Sequence, residues 1–213
     1  MKINQALLDE VTRIKINVLQ KRDNNNLKSI IVTSANHGEG TSTLAFNLAL
    51  SLGLVKETRV LLIDANLRQP NLHEWFDQKQ ENGFSDFLKD EISLAEIIKE
   101  TSLDNVKLIT AGVIASENNN LDVLSGITLK TKETLEKNFD WIIYDSPPVN
   151  IYPDTLLMTP LSDGIILVIF AERTRRVAVQ KAKESLESIN ANILGGVLNG
   201  RRYAVPGFIY KRL

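Results

Sequence analysis

The chain has 213 residues, 43% hydrophobic and 24% charged, which suits one ordinary domain burying roughly 70% of its unfolded surface and excludes a disordered chain. Twenty-five Lys and Arg against 26 Asp and Glu leave a formal charge of −1, so no global field points to nucleic acid or an acidic bilayer, and nucleic acid is not an expected partner. Cysteine is absent, which excludes disulfides, thiolate metal sites and cysteine nucleophiles, and two histidines make a His-rich metal site implausible.

Residues 5–20 carry Leu7, Leu8, Val11, Ile14, Val18 and Leu19 at helical spacing, followed by a polar break from Arg22 to Asn26. This start has no apolar h-region, and no later run approaches the ~20 apolar residues of a membrane span, so a cytoplasmic protein is expected. The run Ser29-Ile30-Ile31-Val32-Thr33 is too short for a helix and rich in β-branched residues, hence a buried strand. Glycines follow, then a helical period from Thr43 to Leu54. The alternation continues with a strand over 59–64, helical pieces over 84–88 and 94–100, a strand over 106–110 and a helix over about 121–137. Strands over 141–145, 164–170 and 193–198 come next, with helices over 154–158 and 175–188 between them. Apolar strands separated by helices imply a three-layer α/β fold, a mainly parallel sheet with helices on both faces. One domain over 1–200 and a short basic, aromatic tail over 201–213 are expected.

Ala35-Asn36-His37-Gly38-Glu39-Gly40-Thr41-Ser42 stands between a buried strand and a helix, where a Walker A loop would stand. In the template G-x-x-x-x-G-K-[ST], backbone N–H groups cradle phosphates, a lysine meets the outer phosphates and a hydroxyl holds magnesium. Here Ala35 replaces the first glycine and Thr41 the lysine, so a bare glycine turn without ligand is the competing reading. Two apolar strands end in a carboxylate, at Asp64 and at Asp145. Either alone is as well explained as a cap or turn residue. In an open parallel sheet, however, ligands sit at the carboxyl ends of the strands, so both carboxylates and the loop should converge on one crevice suited to a magnesium-nucleotide.

The series SANHGEGTSTLAFNLA, VLLIDANLRQPNLH, GFSDFLKD, WIIYDSPPV, DGIILVIFAERT and LGGVLN resembles the bacterial tyrosine kinases of capsule and exopolysaccharide systems, from about residue 5 to 200. Deviant Walker ATPases of the ParA and MinD type share the loop, but Asp64-x-x-x-Arg68 running to Pro70 and His73, and the Ser146-Pro147-Pro148 turn, favour the kinases. The resemblance implies a P-loop NTPase fold that binds ATP or ADP with Mg²⁺. Gly38, Glu39, Gly40, Thr41, Ser42 and Thr43 would surround the phosphates, and Asn199 would lie near the adenine. Ser42, Asp64 and Asp145 would serve the metal, and the two aspartates the chemistry. It also implies a membrane polysaccharide co-polymerase as partner, homo-oligomers, and a cytoplasmic site at the inner membrane reached through that partner.

Four elements depart from the resembled pattern. The Walker A lysine is Thr41, and the second aspartate of I-D-x-D-x-R is Asn66. The E-x-x-R-x-x-R of the N-terminal helix continues from Glu10 and Arg13 to Ile16, and the tail has only Tyr203 and Tyr210 in place of a tyrosine run. A charge-assisted hydrogen bond to phosphate is worth roughly 1.5–3 kcal/mol, so losing the ammonium costs about one to two decades in affinity and the transfer step more. A regulatory component with a weak or inactive kinase site is therefore expected. An active autokinase and a ParA/MinD-like positioning ATPase are the alternatives, the latter lacking its own lysine at Asn36. A rescue lysine reaching in from elsewhere would restore the missing charge.

His37 reads as solvent-exposed and His73 as packing, while Arg68 suits either a ligand or an ion pair. Arg173, Arg175, Arg176, Lys181 and Lys183 read as a solvated helix face. The tail suits docking on its own domain or on a membrane-bound partner.

Overall fold

The computed structural model describes residues 5–113, 120–127 and 129–200. Seven strands form one sheet in the order β3-β4-β2-β5-β1-β6-β7. They are β1 Ser29–Ser34, β2 Val60–Asp64, β3 Lys99–Glu100, β4 Val106–Ile109, β5 Trp141–Asp145, β6 Gly164–Phe170 and β7 Ile193–Asn199. All pairings are parallel except the short β3 against β4 at one edge.

Period-two alternation sends side chains of the central strands to opposite faces. Ile31, Leu61, Ile63, Ile142, Tyr144, Ile165 and Leu167 enter one apolar core, and Ile30, Val32, Val60, Leu62, Trp141, Ile143, Ile166 and Val168 the other. The second face is covered by α1 (Gln5–Asn25) and α2 (Thr41–Gly53), through Val18 of α1 and Leu44, Ala45, Leu48, Ala49 and Leu52 of α2. The first is covered by α4 (Phe84–Leu88), α5 (Leu94–Ile97), α6 (Asn120–Ser125), α7 (Leu129–Glu136), α8 (Asp154–Met158) and α9 (Arg176–Glu187). The three-layer arrangement is the expected one.

Several boundaries differ from expectation. The polar stretch at 22–25 continues α1, with Arg22 stacked over Trp141 at 4.8 Å, and the helix stops at Asn26, whose φ is +52°. The expected helix over 94–100 ends at Ile97. Lys99 and Glu100 pair with Leu108 and Lys107 instead, because an open sheet edge offers them ladder hydrogen bonds. The expected helix over 121–137 is two helices, broken near Gly126, where a Cβ would lie 2.5 Å from the Leu88 carbonyl oxygen. A helix absent from the sequence reading, α3 (Leu72–Trp75), follows β2. The tail over 201–213, with Tyr203 and Tyr210, lies outside the described residues, as do Asn118 and Asn119 of the asparagine run expected as a loop, whose third member, Asn120, instead begins α6.

Candidate functional site

β1 delivers the chain to the loop, and α2 begins directly after it at Thr41, two residues earlier than the apolar period suggests. Gly38 and Gly40 take φ of +71° and +93°, conformations that a side chain disfavours. A Cβ on Gly40 would also fall 2.1 Å from Asn199 Nδ2. The glycine spacing thus serves a loop clamped from β7: Asn199 donates through Nδ2 to the Glu39 carbonyl at 2.8 Å. Its amide, expected near an adenine, is in contact with the loop backbone, and its Oδ1 accepts from the Gly200 N–H.

Glu39 is 3% exposed and folds into the loop. Its carboxylate accepts from the Ala35 N–H, Asn36 Nδ2 and Thr174 Oγ1 at 3.1, 3.0 and 2.7 Å. Only its backbone is left to face a ligand. Beside the loop lies a cavity of about 410 Å³ whose lining includes Gly38, Gly40, Thr41, Ser42 and Thr43, with Asn66, Asn71, Trp75 and Ser146 on the other wall. Five of the seven expected loop and asparagine positions therefore line the cavity; Glu39 is folded into the loop and Asn199 holds it from β7.

The two carboxylates meet as expected. Asp64 and Asp145 are register partners on adjacent strands β2 and β5, at 0% and 1% exposure. Asp64 Oδ2 accepts the backbone N–H groups of Asn71 and Leu72, each at 3.0 Å, at the start of α3. Asp64 Oδ1, both oxygens of Asp145 and Asn71 Oδ1 are buried without a hydrogen-bond partner. Burial pushes the Asp64 carboxyl up to about 7, against the pull of the Leu72 and Asn71 N–H groups. Burial, and then the neighbouring Asp64 charge, push Asp145 up as well. The Ser42 hydroxyl faces Asp145 and offsets a little of this without closing a hydrogen bond on either oxygen. Ser42 Oγ in turn accepts from Asn71 Nδ2 at 3.3 Å.

Orphaned buried oxygens on two adjacent carboxylates, beside a hydroxyl, suit a hard divalent cation. Among the described residues no group of three or more His, Cys, Asp or Glu could hold a metal. A cation here would complete its shell with water and phosphate oxygens, the usual habit of Mg²⁺.

Neighbouring groups are largely committed elsewhere. Asn66, at the second-aspartate position, accepts the Gln69 N–H through Oδ1 at 3.1 Å. Arg68 makes a two-pronged ion pair with the fully buried Asp154, at 2.9 and 3.0 Å, and lies over the Tyr152 ring at 4.9 Å. Of the two roles open to it, the ion pair is the one formed. His37 is half-buried edge-on to Tyr152, at 5.6 Å between ring centroids, rather than fully exposed. His73 is mostly packed, with Nδ1 buried and unpartnered. Buried hydroxyls of Thr33, Ser146 and Thr155 link β1, the turn after β5 and α8, through the Pro147 carbonyl.

Sequence reasoning missed Asn71, which ties Ser42 to Asp64, and Trp75, which stands edge-on to Phe46 at 5.4 Å beside the cavity. The signal was available: Pro70-Asn71 followed by Glu74 three residues on is a helix-start pattern. It also missed the position of Arg173, whose guanidinium Nη2 lies 3.2 Å from where a Gly38 Cβ would be. Arg175, Arg176, Lys181 and Lys183 are solvated, as expected for that face.

A family profile described as "AAA domain" matches residues 27–193. The chain resembles the septum site-determining protein MinD of Pyrococcus horikoshii, solved with Mg-ADP, at TM-score 0.66 and 23% identity over 87% of this chain and 76% of that one, a likeness of fold. Sheet order, loop and carboxylate pair define a P-loop NTPase fold of the AAA-domain family. Similarity is greater to tyrosine kinases. The putative tyrosine-protein kinase CapB of Staphylococcus aureus is 29% identical over 93% of this chain and 86% of its own length. The tyrosine-protein kinase YwqD of Bacillus subtilis (strain 168) is 30% identical over 91% of this chain and 81% of its own. The kinase domain of VpsO superposes at TM-score 0.79 and 30% identity, covering 93% of this chain and 97% of that one. The chain belongs to the bacterial tyrosine kinase family.

Proposed function

We propose that this chain is a regulatory component of a capsule or exopolysaccharide assembly system that binds a magnesium-nucleotide at the loop after β1 and transfers phosphate poorly or not at all. The observation carrying this is the juxtaposition of an intact carboxylate pair with unpartnered oxygens and a loop whose lysine position is Thr41. Ser42, Asp64 and Asp145 would hold Mg²⁺, and the backbone N–H groups of residues 38–43 the phosphates of ATP or ADP. The metal would screen phosphate charge when bound.

Transfer to a tyrosine hydroxyl needs more. The position of the second aspartate is a neutral amide that caps its own turn, so proton acceptance falls to Asp64 or Asp145, the groups that would be coordinating the cation. Fixed positive charge at the transferring phosphoryl is also missing from the lysine position. Such a site suits sensing or scaffolding better than turnover.

The kinase names of the relatives, and a solved chimerical protein CapA2B2 that superposes at TM-score 0.83 with 27% identity, support a partnership with a membrane polysaccharide co-polymerase and assembly with further copies of the chain. No helix among the described residues is long and apolar enough to cross a membrane, so membrane association would come through that partner. In α1, Ile16, 48% exposed, stands at the third position of the family's charged motif, so assembly through this helix would lack that arginine's ion pairs.

Calorimetric titration with Mg-ATP, with a phosphotyrosine assay in parallel, tests the reading on the unaltered chain and on Thr41→Lys. The expected outcome is measurable binding without autophosphorylation in the unaltered chain, and a gain in both with lysine. Autophosphorylation of the unaltered chain at the level of a lysine-bearing relative would establish the active-kinase alternative.

A further inference from the structure

The loop lacks its own cation, and none of the residues lining the adjacent cavity is Lys or Arg. It also buries the Glu39 carboxylate within its own turn, a charge that repels phosphate. Two arginines stand close by. Arg68 is spent on Asp154 in a two-pronged ion pair. Arg173 has no carboxylate partner among the described residues: its guanidinium rests over the Phe170 ring at 5.4 Å and against Gly38, with Nη2 3.2 Å and Nη1 3.8 Å from the place of a Cβ.

This placement is built, not incidental. The turn that follows β6 is tied to the loop, because Thr174 Oγ1 donates to Glu39 Oε1 at 2.7 Å while accepting the Phe170 N–H at 3.0 Å. The N–H groups of Arg173 and Thr174 both return to the Phe170 carbonyl, at 3.3 and 2.9 Å. Glu172, at φ +62°, turns the chain so that the next side chain lies along the loop. Gly38 has no side chain, and any Cβ there would crowd the guanidinium. The fold thus presents one exposed guanidinium at the rim of an anion-binding turn that has lost its ammonium.

We propose that Arg173 supplies, from the turn after β6, the positive charge against nucleotide phosphates that Thr41 does not provide. This deepens the proposed function and rests on its nucleotide-binding site. The ligand class is a nucleoside di- or triphosphate with magnesium. A planar guanidinium holds phosphate oxygens through paired N–H groups, which supports binding. Its approach is from beside Gly38 rather than from position 41 at the start of α2, so it does not reproduce the lysine's part in transfer. Retained binding and poor turnover then have one cause.

The test measures Mg-ATP and Mg-ADP affinity by titration for the full chain, Arg173→Met, Arg173→Lys, Thr41→Lys and the Arg173→Met/Thr41→Lys double variant. Methionine keeps apolar contact with Phe170 and removes the charge, so affinity should fall about ten- to a hundredfold with the melting temperature of the nucleotide-free protein unchanged. Lysine at 173 should fall between methionine and arginine. Thr41→Lys should raise affinity more in the Arg173→Met background than in the Arg173 chain, since the two cations substitute for each other. Unchanged affinity in Arg173→Met, or an equal gain from Thr41→Lys in both backgrounds, overturns the role of Arg173 and leaves the nucleotide site standing. Absence of Mg-ATP binding in both the unaltered chain and Thr41→Lys overturns the nucleotide site, and this inference with it.

Discussion

Replacing Arg68 with alanine should destabilise the protein strongly, because it strands a buried charge. Asp154 is fully buried and its two oxygens accept Arg68 Nε and Nη2 at 2.9 and 3.0 Å, while the guanidinium side chain is only 15% exposed and lies over Tyr152. Removing one partner of such a pair costs about 3–5 kcal/mol, chiefly the desolvation of the ion left behind. For a domain of this size each kcal/mol moves the melting temperature by ~2–4 °C, so a drop of roughly 6–20 °C is expected in a thermal melt at pH 7. The double variant Arg68→Ala/Asp154→Ala should lose far less than the sum of the two single variants, since no lone charge remains. The pair also joins the segment after β2 to α8, on either side of Asp64 and Asp145, so Arg68→Ala should weaken Mg-nucleotide binding at temperatures where it is still folded. Additive single-variant losses, or a drop of under 2 °C for Arg68→Ala, would refute the reasoning.

Asp64 holds its proton up to about pH 7 in the fold, whereas an unfolded chain releases it near pH ~4, so stability falls as pH rises through that window. Asp64→Asn should accordingly be more stable than the unaltered chain by roughly 4 kcal/mol at pH 8 without magnesium, and nearly equal to it near pH 4; a gap independent of pH in denaturant titrations would contradict this. Gly40→Ala adds a Cβ at φ +93° against the Asn199 amide, so it should cost about 1–3 kcal/mol and lower Mg-ADP affinity, read by melting and calorimetry. At the other end of the sheet, Lys132 Nζ lies 2.5 Å from Asp163 and 3.6 Å from Glu136, and Ser29 Oγ bonds both carboxylates. Burial raises Asp163, but Lys132 and the N–H groups of Lys28 and Ser29 outweigh it and hold the carboxyl below its ordinary value. This contribution is complete above about pH 4 and lost as pH falls further. Lys132→Met should lower stability by about 1–3 kcal/mol at pH 7 and much less at pH 3, as acid-unfolding curves would show.

What could be read from residues alone was whatever depends on local chain chemistry. Apolar β-branched runs ending in Asp64 and Asp145, glycines after β1 and a helical period after them carry strand, turn and helix in their own side chains, and parallel-sheet topology then brings strand ends together. The extent of α1 through Arg22 was not legible, because a polar sequence continues as helix there with Arg22 stacked on Trp141, 119 positions away. Lys99 and Glu100 became strand for the same kind of reason, a waiting edge. The commitments of polar side chains were decided only in three dimensions. That Arg68 belongs to Asp154, that Glu39 folds inward to Thr174, that Asn71 bridges Ser42 and Asp64, and that Arg173 leaves a solvated cluster for the rim of the loop all depend on residues distant in the chain. Residue type sets what charge and hydrogen bonds a side chain can offer; which partner receives them follows from how the strand ends and the helices around them pack.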